Sequence, residues 1–148
     1  MASSRRSPVG THFRIEEFDS HDGARVPRGD EGAIAHLVEW WLEPMRGFFG
    51  PVTVHSGYRS VAQNAAVGGV RFSVHLLRTP LPRRPTHSAT KAAAGDVTCA
   101  TGTPATWAAW AREHRHRHPH LMLHGRGGIG SYPGFVHLDT ARARDWDG

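Results

Sequence analysis

Between Asp30 and Gly47 the apolar residues Ile34, Leu37, Val38, Trp41, Leu42 and Met45 recur at i, i+3, i+4, i+7, i+8 and i+11. That spacing lines one face of a helix. A strand cannot bury the same set, because successive side chains of a strand face opposite sides. The rest of the chain therefore has to supply a layer for one amphipathic helix to cover. Asp30 stands where a capping residue belongs, and Gly47, followed by Gly50-Pro51, is expected to end the helix.

The other elements follow from local signals. "VTVHSGYRS", residues 52–60, opens as a β-branched strand and runs into a turn at Ser56-Gly57. Ser60 with Gln63 forms a capping box for the short helix "VAQNAAV", ended by Gly68-Gly69. "AAAGDVTC" is expected as a buried strand. Thr103 and Pro104 begin a second main helix, "ATWAAWAREHRHRH", with Trp107, Trp110 and Ala111 facing inward and Pro119 at its end. "LMLHG" and "FVHLDT" read as strands, and "RGGIGSYPG" between them as a glycine-rich turn. This order predicts an α+β fold: a small antiparallel or mixed sheet of about four strands, two main helices and one short helix. At 148 residues the chain fits one domain. Residues 1–11 are expected to be a flexible N-terminus, 12–148 a single domain, and the Pro- and Arg-rich residues 77–90 an inserted loop within it.

The formal charge of +5, before any of twelve histidines is protonated, points to an anionic partner. The basic stretches "SRR", "RTPLPRR" and "REHRHRH" lie apart and lack the aromatic interleaving of a single-strand binding face, which weighs against nucleic acid. One cysteine, Cys99, excludes an intrachain disulfide and a cysteine-based zinc knuckle, so any metal has to be held by histidine and carboxylate. Neither a signal peptide nor a membrane span is visible.

Histidines 114, 116, 118 and 120 fall at a helix end, where a solvated basic face complementing the helix dipole explains them. His75, His87, Asp96, His124, His137 and Asp139 remain. A catalytic zinc takes three protein ligands and leaves one position open. His75, Asp96 and His137 could supply that set, although no HExxH motif pairs two of them on a helix. His137 and Asp139, two apart on a strand, share a face.

Taken together, "SGYRS", "NAAVGG", "SVHL", "AAAGDV" and "GGIGSYPGFVHLDT" resemble, in order and sense, the motifs of peptidase family M15. Its members are zinc D-Ala-D-Ala carboxypeptidases and endolysin-type peptidoglycan peptidases. The lead-in "EEFDSHDGARVP" is similar to the start of the small single-domain members, and the resemblance covers about residues 12–146. It implies a zinc site in a cleft on the sheet, with Zn2+ held by His75, Asp96 and His137. It also implies that Arg59 lies beside the metal as a catalytic and substrate-binding residue, contacting a carboxylate or carbonyl oxygen of the substrate. Ser73, which shares the "SxH" motif with His75, and Tyr132, on the glycine-rich turn, are expected at the substrate. Asp139 either takes a proton from the attacking water or orients His137 through a hydrogen bond, and is preferred to His124 as the base.

Two departures from the family pattern stand out. Gly134 occupies the place of an acidic base found in many relatives, and the first histidine and the aspartate are twenty-one residues apart instead of about seven. His87 is the rival to His75 that this longer spacing creates. The expected activity is hydrolysis of an amide bond in peptidoglycan stem peptides, of D-Ala-D-Ala type, in carboxypeptidase or endopeptidase mode. The alternative is a basic module that binds wall polymer or nucleic acid without turnover. A monomer without an obligatory protein partner is expected. A bacterial or phage origin follows from the resemblance, with access to the wall by phage-type release or with a cytoplasmic substrate.

Overall fold

The computed structural model describes residues 8–81, 91–118 and 127–148. After short 3-10 turns at Ile15–Phe18 and Arg28–Asp30, the periodic stretch forms α1 (Glu31–Leu37), a π-helical turn (Val38–Leu42) and α2 (Glu43–Phe49) in direct continuation. The π turn has a local cause. Pro44 has no N–H to donate to the carbonyl of Trp40, four residues back. That carbonyl instead accepts a hydrogen bond from His114 Nε2 at 2.8 Å, and the Glu43 N–H reaches back five residues to the Val38 carbonyl. The helix runs past Gly47 and stops at Gly50, whose φ of 83° leaves the helical region. Asp30 does not cap it through its side chain; its carboxylate pairs with Lys91 at 3.2 Å.

Four further strands and two helices follow β1 (Val52–Ser56): α3 (Val61–Ala66), β2 (Ala94–Cys99), α4 (Pro104–Arg117), β3 (Gly128–Ser131), β4 (Val136–Asp139) and β5 (Arg144–Asp147). The sheet is mixed, in the order β1-β2-β4-β3-β5, antiparallel except where β5 lies parallel to β3. The α+β architecture is the expected one, with five strands instead of about four. The glycine-rich segment expected to be a turn contributes β3, and β5 arises from "RDWD" near the end of the chain. The strand expected at "LMLHG" lies outside the described residues, as do most of the proposed insertion, His87 and His124. Pro80 and Lys91, at the two ends of the undescribed stretch 82–90, pair with each other across an antiparallel bridge.

Strand alternation divides the sheet into two chemistries. Val97, Ile129, Val136 and Leu138 join Leu37, Trp41 and Leu42 in the core beneath the helices. Asp96, His137 and Asp139 fall on the opposite face. Val9, within the stretch 1–11, packs on the core, and the His12 ring pairs with Glu43 at 2.7 Å. The histidine-rich helix end is also more structured than a solvated face. His114 stacks on Trp110 with ring centres 4.7 Å apart, and burial holds its pKa below the usual histidine value despite the opposing bond to Trp40.

Candidate metal centre

His75, Asp96 and His137 come together although twenty-one and forty-one residues separate them in sequence. Register accounts for two of them, since Asp96 on β2 lies directly opposite His137 on β4. His75 arrives on a 3-10 turn, Val74–Leu76, started by Ser73, whose hydroxyl accepts from the His75 N–H at 3.2 Å. Leu77 closes that turn at φ 57°, a left-handed conformation costing a leucine about 1–2 kcal/mol. Its side chain is almost fully buried in the core, which offsets the strain and anchors the turn.

His75 Nε2 lies 3.2 Å from Asp96 Oδ1, and His137 Nδ1 lies 2.9 Å from the same oxygen. Each ring's other nitrogen is already committed. His75 Nδ1 donates to the Gly57 carbonyl at 2.6 Å, and His137 Nε2 donates to Asp139 Oδ2 at 2.8 Å. A carbonyl can only accept, so the neutral His75 ring turns a bare lone pair toward Asp96. The neutral His137 ring does the same. Two lone pairs and a carboxylate oxygen facing one another repel unless a positive charge sits among them. Zinc fits that requirement: metal–donor distances of about 2.0–2.1 Å in a tetrahedron place donors about 3.3 Å apart. A proton is the other way to meet it. Burial works against protonation of His137, but its hydrogen bonds to Asp139 and Asp96 raise its pKa, whereas burial dominates at His75 and lowers it. Burial alone would raise the Asp96 pKa, and His137 and His75 instead hold it well below the usual carboxylate range.

Asp139 lies behind His137, fully buried. Its Oδ1 accepts the N–H groups of Gly128 and Ala141, both at 2.9 Å. Its Oδ2 receives His137 and, at 3.0 Å, Arg144 Nη2. Burial pushes this carboxyl up, but His137 and Arg144 together hold it below its ordinary pKa. Gly128 makes the arrangement possible, because a Cβ there would stand 2.5 Å from the Asp139 carboxylate. The same holds at Gly130, where Trp146 crosses the bare backbone to reach within 5.0 Å of the His137 ring. The Trp41 indole ties the helices to this strand by donating to the Asp139 carbonyl at 2.9 Å.

Arg59 stands beside Asp96 with its guanidinium spread over three partners: Asp96 Oδ2 at 3.4 Å, Asn64 Oδ1 at 3.0 Å and Ser56 Oγ at 3.3 Å. Arg59, His75, Asp96 and His137 border a cleft of about 620 Å³. Ser73 and Tyr132 line it, the latter stacked on Phe135 at 4.5 Å and hydrogen-bonded through its hydroxyl to the Trp146 indole at 2.8 Å. Asp139 is not on the cleft wall.

Residues 11–139 match the family model Peptidase M15. The chain belongs to peptidase family M15. No curated protein and no solved structure matches it. As a family member it is a metallopeptidase of zinc-dependent type, and the His-Asp-His cluster fits its metal. Two cleft residues, Arg144 and Trp146, lie beyond the matched stretch and were missed in the sequence. Their signal was weak: period-two spacing in a four-residue strand that has meaning only once β5 is known to pair with β3.

Proposed function

We propose that this M15 peptidase hydrolyses an amide bond in peptidoglycan stem peptides, of D-Ala-D-Ala type, with His75, Asp96 and His137 holding zinc. The convergence of two imidazole lone pairs on one Asp96 oxygen carries the assignment of the ligands. When bound there, zinc supplies Lewis acidity, making water a nucleophile near neutral pH and polarising a carbonyl. Gly57 and Asp139 fix the ring tautomers from behind. Arg59, held by Asn64 and Ser56, keeps Asp96 oriented and offers positive charge where a carbonyl oxygen becomes negative. Asp139 serves as a positioning residue for His137, consistent with its burial and filled acceptor sites. Ser73 and Tyr132 contact the substrate from the cleft wall. The positive net charge suits an anionic wall polymer.

Two observations favour binding without turnover: Asp96 is the only carboxylate among the described residues lining the cleft, and Gly134 opens onto empty space. Digestion of purified peptidoglycan, with products identified by mass and zinc content measured in parallel, separates the two. The peptidase assignment expects about one zinc per chain, shortened stem peptides, and loss of both in His137→Ala. Stoichiometric zinc with intact stem peptides would leave the binding module. No zinc in the wild type would overturn the ligand assignment.

A further inference from the structure

The metal cleft continues past its rim. Gly69, Phe72 and Ser73 form a wall shared with a second groove of about 790 Å³. Its lining is mainly apolar, from Val61, Ala65, Leu76 and Pro80, with Arg71 and Arg78 alongside. Exposed apolar residues gather at this junction. Of the five large ones among the described residues, Val61, Val67, Val70 and Phe72 border one groove or the other, and only Phe48 lies elsewhere. Phe72 is 81% exposed, with the Arg71 guanidinium 5.3 Å from its ring centre. An apolar cluster left in water beside a catalytic cleft marks a ligand-binding surface.

The cations divide in the same way. Arg59 spends its donors on Asp96, Asn64 and Ser56, and Arg144 spends both terminal nitrogens on Asp139. Each is thereby tied to a carboxylate of the site itself. Arg71 and Arg78 have no carboxylate partner among the described residues, and both face the second groove. We propose that this groove is a second substrate anchor, taking an apolar group next to a carboxylate that lies at least one residue away from the scissile amide. The proposal rests on the peptidase reading and sharpens it. The substrate is then an extended acidic peptide, and its carboxylate is held by Arg71 and Arg78 while Arg59 stays with the metal ligand.

The test uses the pentapeptide L-Ala-γ-D-Glu-L-Lys-D-Ala-D-Ala in three forms: free, amidated at the D-Glu α-carboxyl, and amidated at the C-terminus. Zinc-loaded protein is assayed for kcat/KM, and chelator-treated protein for Kd by calorimetry, where no cleavage competes. A carboxylate held by arginine predicts that at least one amidation weakens both by about tenfold. The affected form identifies which carboxylate is bound. In the double variant Arg71→Gln, Arg78→Gln the acid and amide forms should agree within about twofold, and Phe72→Ala should raise KM more than it changes kcat. The proposal is overturned if neither amidation matters in the wild type, or if the double variant still discriminates. Discrimination in Kd without cleavage would sink the peptidase reading and keep the groove. Cleavage without discrimination would do the reverse.

Discussion

Replacing Asp139 by asparagine separates its two candidate roles, because each makes a different demand on the metal. The Oδ1 position faces two backbone N–H groups, from Gly128 and Ala141, neither of which can turn away. The amide oxygen of asparagine must take that position, which places its NH2 where Oδ2 met His137 Nε2 and Arg144 Nη2. Donors then face donors. The economical escape is for His137 to move its proton to Nδ1, the nitrogen directed at Asp96, and a protonated Nδ1 cannot bind zinc. Loss of such an orienting partner typically costs 10–100-fold in metal affinity, about 1.4–2.8 kcal/mol. A buried donor left unsatisfied costs about 1–3 kcal/mol of stability in addition. Zinc affinity is measured by competition with a chromogenic chelator, on protein shown to be folded by circular dichroism. Asp139→Asn is expected to weaken zinc binding by at least about tenfold, with a lower melting temperature. An unchanged zinc affinity with turnover abolished would refute this reasoning and return Asp139 to the role of proton acceptor.

Two further outcomes test the packing around the site. Burial depresses the His114 pKa in the folded state, so the unfolded chain binds the proton more readily and stability falls as pH drops below about 6.5. The melting temperature of the wild type minus that of His114→Gln should therefore shrink between pH 7.5 and pH 5, and a difference independent of pH contradicts the assignment. Burial also pushes the Cys99 thiol up to about 11. Its alkylation by iodoacetamide at pH 8 should run about a hundredfold slower than that of a free thiol, and comparable rates would mean that β2 exposes it.

The amphipathic stretch from Ile34 to Met45 determined by itself that a helix would cover a sheet, because no other periodic structure buries that set of residues. Ser60 and Thr103, whose side chains accept from the N–H groups of Gln63 and Thr106, were equally local signals. The motif order named the family, and with it a short set of candidate ligands. What stayed hidden depended on pairing. β3 was masked by its glycines, which read as a turn until Trp146 and the Asp139–Arg144 pair are seen to need the space that Gly130 and Gly128 leave open. The proximity of His75, Asp96 and His137 depends on strand register and a buried Leu77, neither of which residue spacing encodes. For "FVHLDT", the sequence placed His137 and Asp139 on one face of a strand. Only the tertiary structure decided that one faces the cleft and the other lies behind it, because the backbone amides of Gly128 and Ala141, with Arg144, claim the Asp139 carboxylate from the far side.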